Sequence, residues 1–370
     1  SFYFESSDEL PIILSSAITL FCGGSLLYST RNNTNKNIHK REGYLIVTLG
    51  WVAMALFGTL PYIFSGVIPN FTDAFFETMS GFTTTGASVL NDIEAAPEGI
   101  LFWRSMTQWI GGMGIIVLTV AILPILGIGG MELFVAEAPG PSTDKLHPRI
   151  TETAKRLWTI YLALTILLMG LLWASGMTFF DAINHALTTM STGGFSTKNA
   201  SVAAYESPLI HYIIVAFMVV GGTNFTLLYL LTKGRFKRVI QNDELKYYLL
   251  TVAVFTIIIT FAVLPHDFAH AEQAFREVFF QAVSLITTTG FVTADYTAWT
   301  PFVTLLFFLL MFTGASAGST SGGIKIVRHI LLIKNGLIEF RRMLHSRAII
   351  PVRLNQHSVS DKMVYNIQAF

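Results

Sequence analysis

The sequence predicts an all-α integral membrane protein built from repeated units, each a span, a short outer helix, a Thr/Gly strand and a second span. Three observations predict it. Of 370 residues, 52% are hydrophobic and only 13% are charged, about half the charge of an ordinary soluble domain. Apolar runs of spanning length recur along the chain. A Thr/Gly-rich segment appears three times at similar spacing. Thirty Phe residues and a mean hydropathy of +0.56 point the same way. This composition excludes a disordered chain, a nucleic-acid binder and a disulfide-rich secreted scaffold. Cys22 is the single cysteine, so neither a disulfide nor a cysteine metal cluster is available.

Seven runs approach spanning length: 10–28, 44–66, 100–127, 156–175, 209–232, 247–264 and 302–333. The first is preceded by Glu5, Asp8 and Glu9, which does not suit a cleavable signal. Shorter apolar stretches near 73–82, 181–190 and 277–286 cannot cross a ~30 Å hydrocarbon core as helices. They are expected to be re-entrant, allowed at membrane depth when packed in protein or lining a wet cavity. Basic residues set the orientation. The segments 29–43, 128–156, 233–246 and 325–362 hold 21 of the 24 Lys and Arg; Arg104, Lys198 and Arg276 are the remainder. The net charge of +1 therefore hides an inside-positive asymmetry, with Lys325 to Lys362 cytoplasmic and the short segments outside.

Aligned on Gly86, Gly194 and Gly290, the three short segments share an acid thirteen residues earlier (Asp73, Asp181, Glu277). They also share a hydroxyl six residues earlier (Ser80, Thr188, Ser284). An acid in the first turn of each short helix would stabilise its positive end by about 0.3–1 kcal/mol. The helix would then point its carbonyl end at the membrane centre. A glycine follows because the chain must turn at φ values other residues avoid. Carbonyl rings of this kind replace a cation's hydration shell. Strands such as Thr83-Thr84-Thr85-Gly86, rich in oxygen and free of formal charge, suit a large monovalent ion better than Ca²⁺ or Mg²⁺.

The third return span is interrupted by ten small residues: Gly314, Ala315, Ser316, Ala317, Gly318, Ser319, Thr320, Ser321, Gly322 and Gly323. Interior glycines cost a helix ~1 kcal/mol each, so a break is expected near mid-membrane. The result would be a loop able to obstruct a path, with few apolar contacts to hold it. Close helix packing is the alternative. The matching positions Gly111-Gly112 and Gly221-Gly222 are only mildly glycine-rich. Lys325 would either compete with a passing cation or anchor the loop. Gly314-Ala-Ser-Ala-Gly318 also fits the G-x-S-x-G pattern of a serine hydrolase using Ser316, but that elbow needs a strand and a sheet. His185 reads as a packed polar residue, and Arg104 as snorkelling or paired with an acid, with a role in setting pore electrostatics as the alternative.

The strands ending Thr-Thr-Thr-Gly86, Ser-Thr-Gly-Gly194-Phe and Thr-Thr-Thr-Gly290-Phe, with Gly318-Ser-Thr-Ser-Gly-Gly-Ile-Lys325, resemble the Trk/Ktr/HKT superfamily of potassium transporters. Gln108-Trp-Ile-Gly-Gly-Met-Gly-Ile-Ile-Val117 and the extra span before the first unit make the chain similar to the Trk-type membrane subunit (TrkH-like). The resemblance implies four units around a pseudo-fourfold pore. It implies K⁺ as the transported ion, with no organic cofactor and no catalysis. The ion would be held by backbone carbonyls at Thr84 and Thr85, Thr192 and Gly193, and Thr288 and Thr289, just before Gly86, Gly194 and Gly290. In the plant branch a Ser at the first glycine accompanies sodium transport, so Gly86 favours potassium over a sodium-coupled or sodium-permeable variant.

It further implies that the 314–323 loop with Lys325 is an intramembrane gate. The expected setting is a homodimer in a bacterial inner membrane. A cytoplasmic nucleotide-binding regulatory subunit (TrkA-like) would control it, and no nucleic acid is involved. The organisation expected is an accessory helix and linker (1–43), three units (44–150, 151–240 and 241–350) and the start of a fourth (351–370). Met363 to Phe370 looks like an apolar segment cut short after Ser360-Asp-Lys-Met-Val364, and an upstream span is absent. The chain is therefore expected to be part of a longer one.

Overall fold

The computed structural model describes residues 8–32, 40–114, 150–263, 271–345, 350–355, 357–359 and 364. The inner part of the span expected over 100–127, the stretch 128–149 with Lys145 and Arg149, and Lys362 lie outside the described residues. So does the opening expected after Ser360, Val364 apart.

Four described helices are long and apolar enough to cross a membrane: α1 (Glu9–Thr30), Thr48–Ser65, Lys155–Ala174 and Asp243–Val263. They fall on four of the seven expected spans. The second is formed by α2 (Lys40–Gly58) running into α3 (Leu60–Ser65), with Pro61 in the first turn, where a missing N–H costs nothing. Most of α1 is bare: Leu20 and Phe21 are about three-quarters exposed, as expected of an apolar helix whose solvent is lipid.

The fold divides into two compact units. One holds the described residues up to Phe217 together with Thr289–Thr293. The other holds Met218–Thr288 and the residues from Ala294 onward. In the first unit, α4 (Phe71–Phe82) and α7 (Phe179–Met190) are the first two short helices. Each starts on a side-chain cap: Asn70 accepts from the Thr72 N–H at 2.9 Å, and Thr178 from the Asp181 N–H at 3.0 Å. Such caps are worth about 1 kcal/mol each. Asp73 and Asp181 lie in the first turns, as the repeat predicts. Helix α4 packs on α5 (Glu98–Trp109), and α7 packs on both α5 and α6 (Ile150–Ala174).

The second unit departs from the sequence expectation twice. The span expected over 209–232 is two helices, α8 (Pro208–Gly221, whose last turn enters this unit) and α9 (Phe225–Thr232), bent by 101°. After the short α10 (Phe236–Ile240), α11 (Asp243–Val263) packs on the third short helix, α12 (Ala271–Ile286). That helix is sixteen residues long, so Glu277 sits mid-helix and not in the first turn. The first-turn acid is Glu272, paired with Arg276 at 3.0 Å. The span expected over 302–333 does break: α13 (Pro301–Met311) is apolar but short, and α14 begins at Ile326 and runs to Leu344. The ends of the intervening loop pair as two parallel two-residue strands, Thr313↔Ile324 and Gly314↔Lys325.

Candidate functional site

Each short helix ends in the same turn. Thr84 N–H bonds to Gly81 O and Thr85 N–H to Ser80 O; Thr192 bonds to Thr189 and Gly193 to Thr188. Thr288 N–H bonds to Leu285 O in the third. The first two are complete Schellman turns, which close the last orphan carbonyls of a helix around a left-handed residue. Glycine normally fills that position. Here it is Thr84, Thr192 and Thr288, with φ of 55°, 52° and 55°. A β-branched residue held there stores about 1–3 kcal/mol, a strain that clusters at functional sites. Two residues on, Gly86, Gly194 and Gly290 are again left-handed, at 78°, 77° and 82°. Left-handed residues at alternate positions allow successive carbonyls to face one side, where in an extended strand they would alternate.

The turns also touch. A Cβ on Gly86 would collide with the carbonyl oxygen of Gly193, and a Cβ on Gly194 with that of Thr289. In repeat register these are one contact made twice in the same sense: the glycine of one strand against the residue before the glycine of the next. Gly193 is closed off by Gln108, whose Nε2 donates to the Gly193 carbonyl at 2.7 Å. The Oε1 of Gln108 accepts from the Phe195 N–H at 3.1 Å. Gln108 thus brackets the second strand from α5. In the sequence it stands out only as part of a family resemblance. An amide inside an apolar span is itself a signal, because such residues are rare there unless they serve a site.

Arg104 is not snorkelling. Its side chain is 3% exposed and Glu77's is fully buried, with Arg104 Nε donating to Glu77 Oε1 at 2.6 Å. Removing one partner of such a pair leaves a buried charge and costs about 3–5 kcal/mol. The guanidinium lies 3.5 Å from the centre of the Phe195 ring. His185 is a packed polar residue, as its sequence context suggests. Its Nδ1 faces Asp181 O at 2.8 Å and its Nε2 faces Ser196 Oγ at 3.0 Å. The carbonyl can only accept, so Nδ1 carries the proton and Nε2 receives the hydroxyl.

The small-residue loop is held more firmly than its composition suggests. Ala315, Ser316, Ala317, Thr320 and Ser321 are buried, and Ala317 joins an apolar cluster with Val327, Leu331 and Val352. Its backbone is satisfied by the bend between α8 and α9. Ser316 N–H donates to Gly222 O at 3.0 Å, Thr320 Oγ1 to Gly221 O at 3.1 Å, and Phe225 N–H to Gly318 O at 3.0 Å. Glu244 accepts from the Ala317 N–H at 2.6 Å. Gly318 and Gly323 are left-handed, at 70° and 69°. Ser319 Oγ donates to Ser316 O at 2.6 Å. The far end touches a glycine turn, since Gly322 N–H donates to Thr288 Oγ1 at 2.6 Å. The Lys325 ammonium donates to Ser321 O and, at 3.0 Å, to Ser321 Oγ. Among the described residues Ser316 Oγ has no hydrogen-bond partner.

Long apolar helices, with short helices that end in oxygen-rich turns, define a multi-pass membrane protein. The family model described as TrkH, cation transport protein, matches residues 10–370. The chain is similar to the Trk system potassium uptake protein TrkH of Escherichia coli (strain K12), 43% identical over 352 residues, covering 94% of this chain and 73% of that protein. It is also similar to the Trk system potassium uptake protein TrkG of the same strain, 36% identical over 373 residues, covering 100% and 76%. Among solved structures it resembles the potassium transporter TrkH from Vibrio parahaemolyticus, with a TM-score of 0.86 and 36% identity, covering 100% of this chain and 76% of that one. The chain belongs to the TrkH family of cation transport proteins, a family of transporters and not of enzymes.

Proposed function

We propose that the chain is the ion-conducting membrane subunit of a potassium uptake system. K⁺ passes through a filter lined by the backbone carbonyls of Thr84, Thr85, Thr192, Gly193, Thr288 and Thr289, shaped by Gly86, Gly194 and Gly290. The observation that carries this reading is the turn itself, a left-handed Thr and a left-handed Gly repeated three times. A head-to-tail contact made twice in one sense builds a ring when its rotation closes, and a closed ring is the reading taken here. Carbonyls there offer oxygen ligands without a fixed charge, which suits a weakly hydrated monovalent ion. As the family resemblance implies, three units (44–150, 151–240 and 241–350) are three of four around a pseudo-fourfold axis, with 1–43 as an accessory helix and 351–370 leading into the fourth.

In this reading the Gly314–Gly323 loop and Lys325 gate the path from below the filter. A cytoplasmic nucleotide-binding subunit moves the loop through the helix that begins at Ile326. The chain works as a homodimer in a bacterial inner membrane, glycine turns outward and Lys325–Lys362 inside. The test is rubidium flux, as a potassium surrogate, in proteoliposomes holding the full-length protein. Selective Rb⁺ over Na⁺ flux is expected. Flux of Na⁺ at equal rate would replace potassium by sodium in the proposal, and absence of either flux would overturn it.

A further inference from the structure

Three different side chains occupy one register position of the repeat. Glu77, His185 and Gln281 each stand nine residues before a filter glycine. Each ties the segment that leaves the glycine turn back onto the short helix that enters it. Glu77 accepts from Ser88 Oγ at 3.0 Å and from the Val89 N–H at 2.9 Å, two and three residues past Gly86. His185 holds Ser196 Oγ at 3.0 Å, two past Gly194. Gln281 Nε2 donates to Ala294 O at 3.3 Å, four past Gly290. Each strand is therefore clasped between its own helix and a polar tie beyond the glycine.

In the first unit the ties are joined. Arg104 donates through Nε to Glu77 at 2.6 Å and through Nη1 to Ser196 O at 3.0 Å. Ser196 is the residue whose hydroxyl His185 holds. Asp181, whose carbonyl receives His185 Nδ1, also accepts from Thr197 Oγ1 at 2.6 Å. A connected polar chain thus runs from Val89 through Glu77, Arg104, Ser196 and His185 to Asp181. The side chains of Glu77, Arg104, Ser196, His185 and Asp181 on that path are buried.

We propose that Glu77, His185 and Gln281, with Arg104, are positioning residues that set the selectivity of the filter. The inference rests on the reading of the glycine turns as an ion filter, and it deepens that reading. Where carbonyls reject the smaller Na⁺ because their strands resist closing around it, whatever holds the strands apart contributes to discrimination. Neutral turns cannot supply that stiffness alone, because glycine is the most permissive residue in the chain. The ties differ in strength. Glu77 takes two donors beyond the glycine and a buried guanidinium, and His185 one hydroxyl. The dependence should be graded in that order.

The experiment measures Rb⁺ and Na⁺ flux ratios in proteoliposomes of the full-length protein, with thermal unfolding measured in parallel. Glu77→Ala and Arg104→Met should lower the Rb⁺:Na⁺ ratio by about tenfold, the factor that accompanies loss of a hydrogen bond to a charged group. His185→Leu should lower it by a smaller factor, His185→Gln should restore it, and Gln281→Leu should also lower it. Trp103→Phe serves as the control. It removes the Trp103 Nε1 to Gly58 O bond of 3.1 Å elsewhere in the same unit, and should lower stability with the ratio unchanged. If the Glu77 and Arg104 variants do not assemble, the His185 pair decides. A selective wild type with His185→Leu equally selective overturns the positioning role. A wild type without selective flux overturns instead the filter reading on which it rests.

Discussion

Gly111-Gly112 and Gly221-Gly222 look alike, each a glycine pair in an apolar run after a glycine turn, yet the chain treats them differently. At the first, helix α5 continues into a short π-helical turn, Ile110–Gly114. The missing side chains let it pack closely. A Cβ on Gly111 would strike the Phe82 backbone, and one on Gly112 would lie 2.7 Å from Ser191 Cβ. At the second, the helix stops, bends by 101° and restarts behind Asn224, which caps it by accepting from the Thr226 N–H at 2.7 Å. The carbonyls freed there are taken by Ser316 and Thr320 of the small-residue loop. A glycine pair permits either outcome; what lies opposite decides. The bend and the loop are one feature, since each satisfies backbone groups the other leaves open at a depth where water is scarce. The three glycine turns, by contrast, are near copies. In the proposed function, repetition belongs to the part that selects and divergence to the part that opens.

The largest expected effect breaks the repetition. Gly194→Ser and Gly86→Ser combine a left-handed φ with a collision against a neighbouring carbonyl. Their Rb⁺:Na⁺ flux ratio should collapse by roughly tenfold or more, since strain and overpacking each cost about 1–3 kcal/mol. Gly290→Ser meets nothing within 4 Å among the described residues, but the proposed ring sets a fourth strand against it, so its loss in the full-length protein should match the other two. A clearly smaller loss at Gly290 would mean that no fourth strand lies against it.

An intermediate effect probes the divergent part. Glu244→Leu removes a charged acceptor from the Ala317 N–H, worth about 1.5–3 kcal/mol. Basal flux without the regulatory subunit should rise, with the ion ratio unchanged. The smallest effect sharpens the comparison from the other side. Thr192→Gly relieves a left-handed β-branched residue and should raise the unfolding temperature in detergent, the gain being about 1 kcal/mol or less. No gain would mean that the threonine is otherwise compensated.

Much of this was legible in the chain. The three Thr/Gly segments gave the short helices and their turns, because glycine and hydroxyl residues mark special backbone directly. Asp73 and Asp181 marked true first turns. Glu277 misled because the third helix extends further upstream, to Ala271, and counting back from the glycine cannot see that extension. The bend at 221–224 was missed because Gly-Gly reads equally as close packing. Asn224, a good capping residue inside an apolar run, was the local signal available. The left-handed threonines carried no local mark, since propensity argues against them. Gln108 on Gly193, Arg104 on Glu77 and Glu244 on Ala317 join residues 85, 27 and 73 positions apart, which no local pattern encodes.

The proposed division between selecting turns and an opening loop meets its most direct test in one measurement. It is the Rb⁺ flux and the Rb⁺:Na⁺ ratio of a full-length variant shortened within Ala315–Ser321, without the regulatory subunit. The account predicts raised basal flux at an unchanged ratio. A folded variant whose basal flux is unaltered and still fully dependent on the regulator, or one whose ratio collapses, would contradict it.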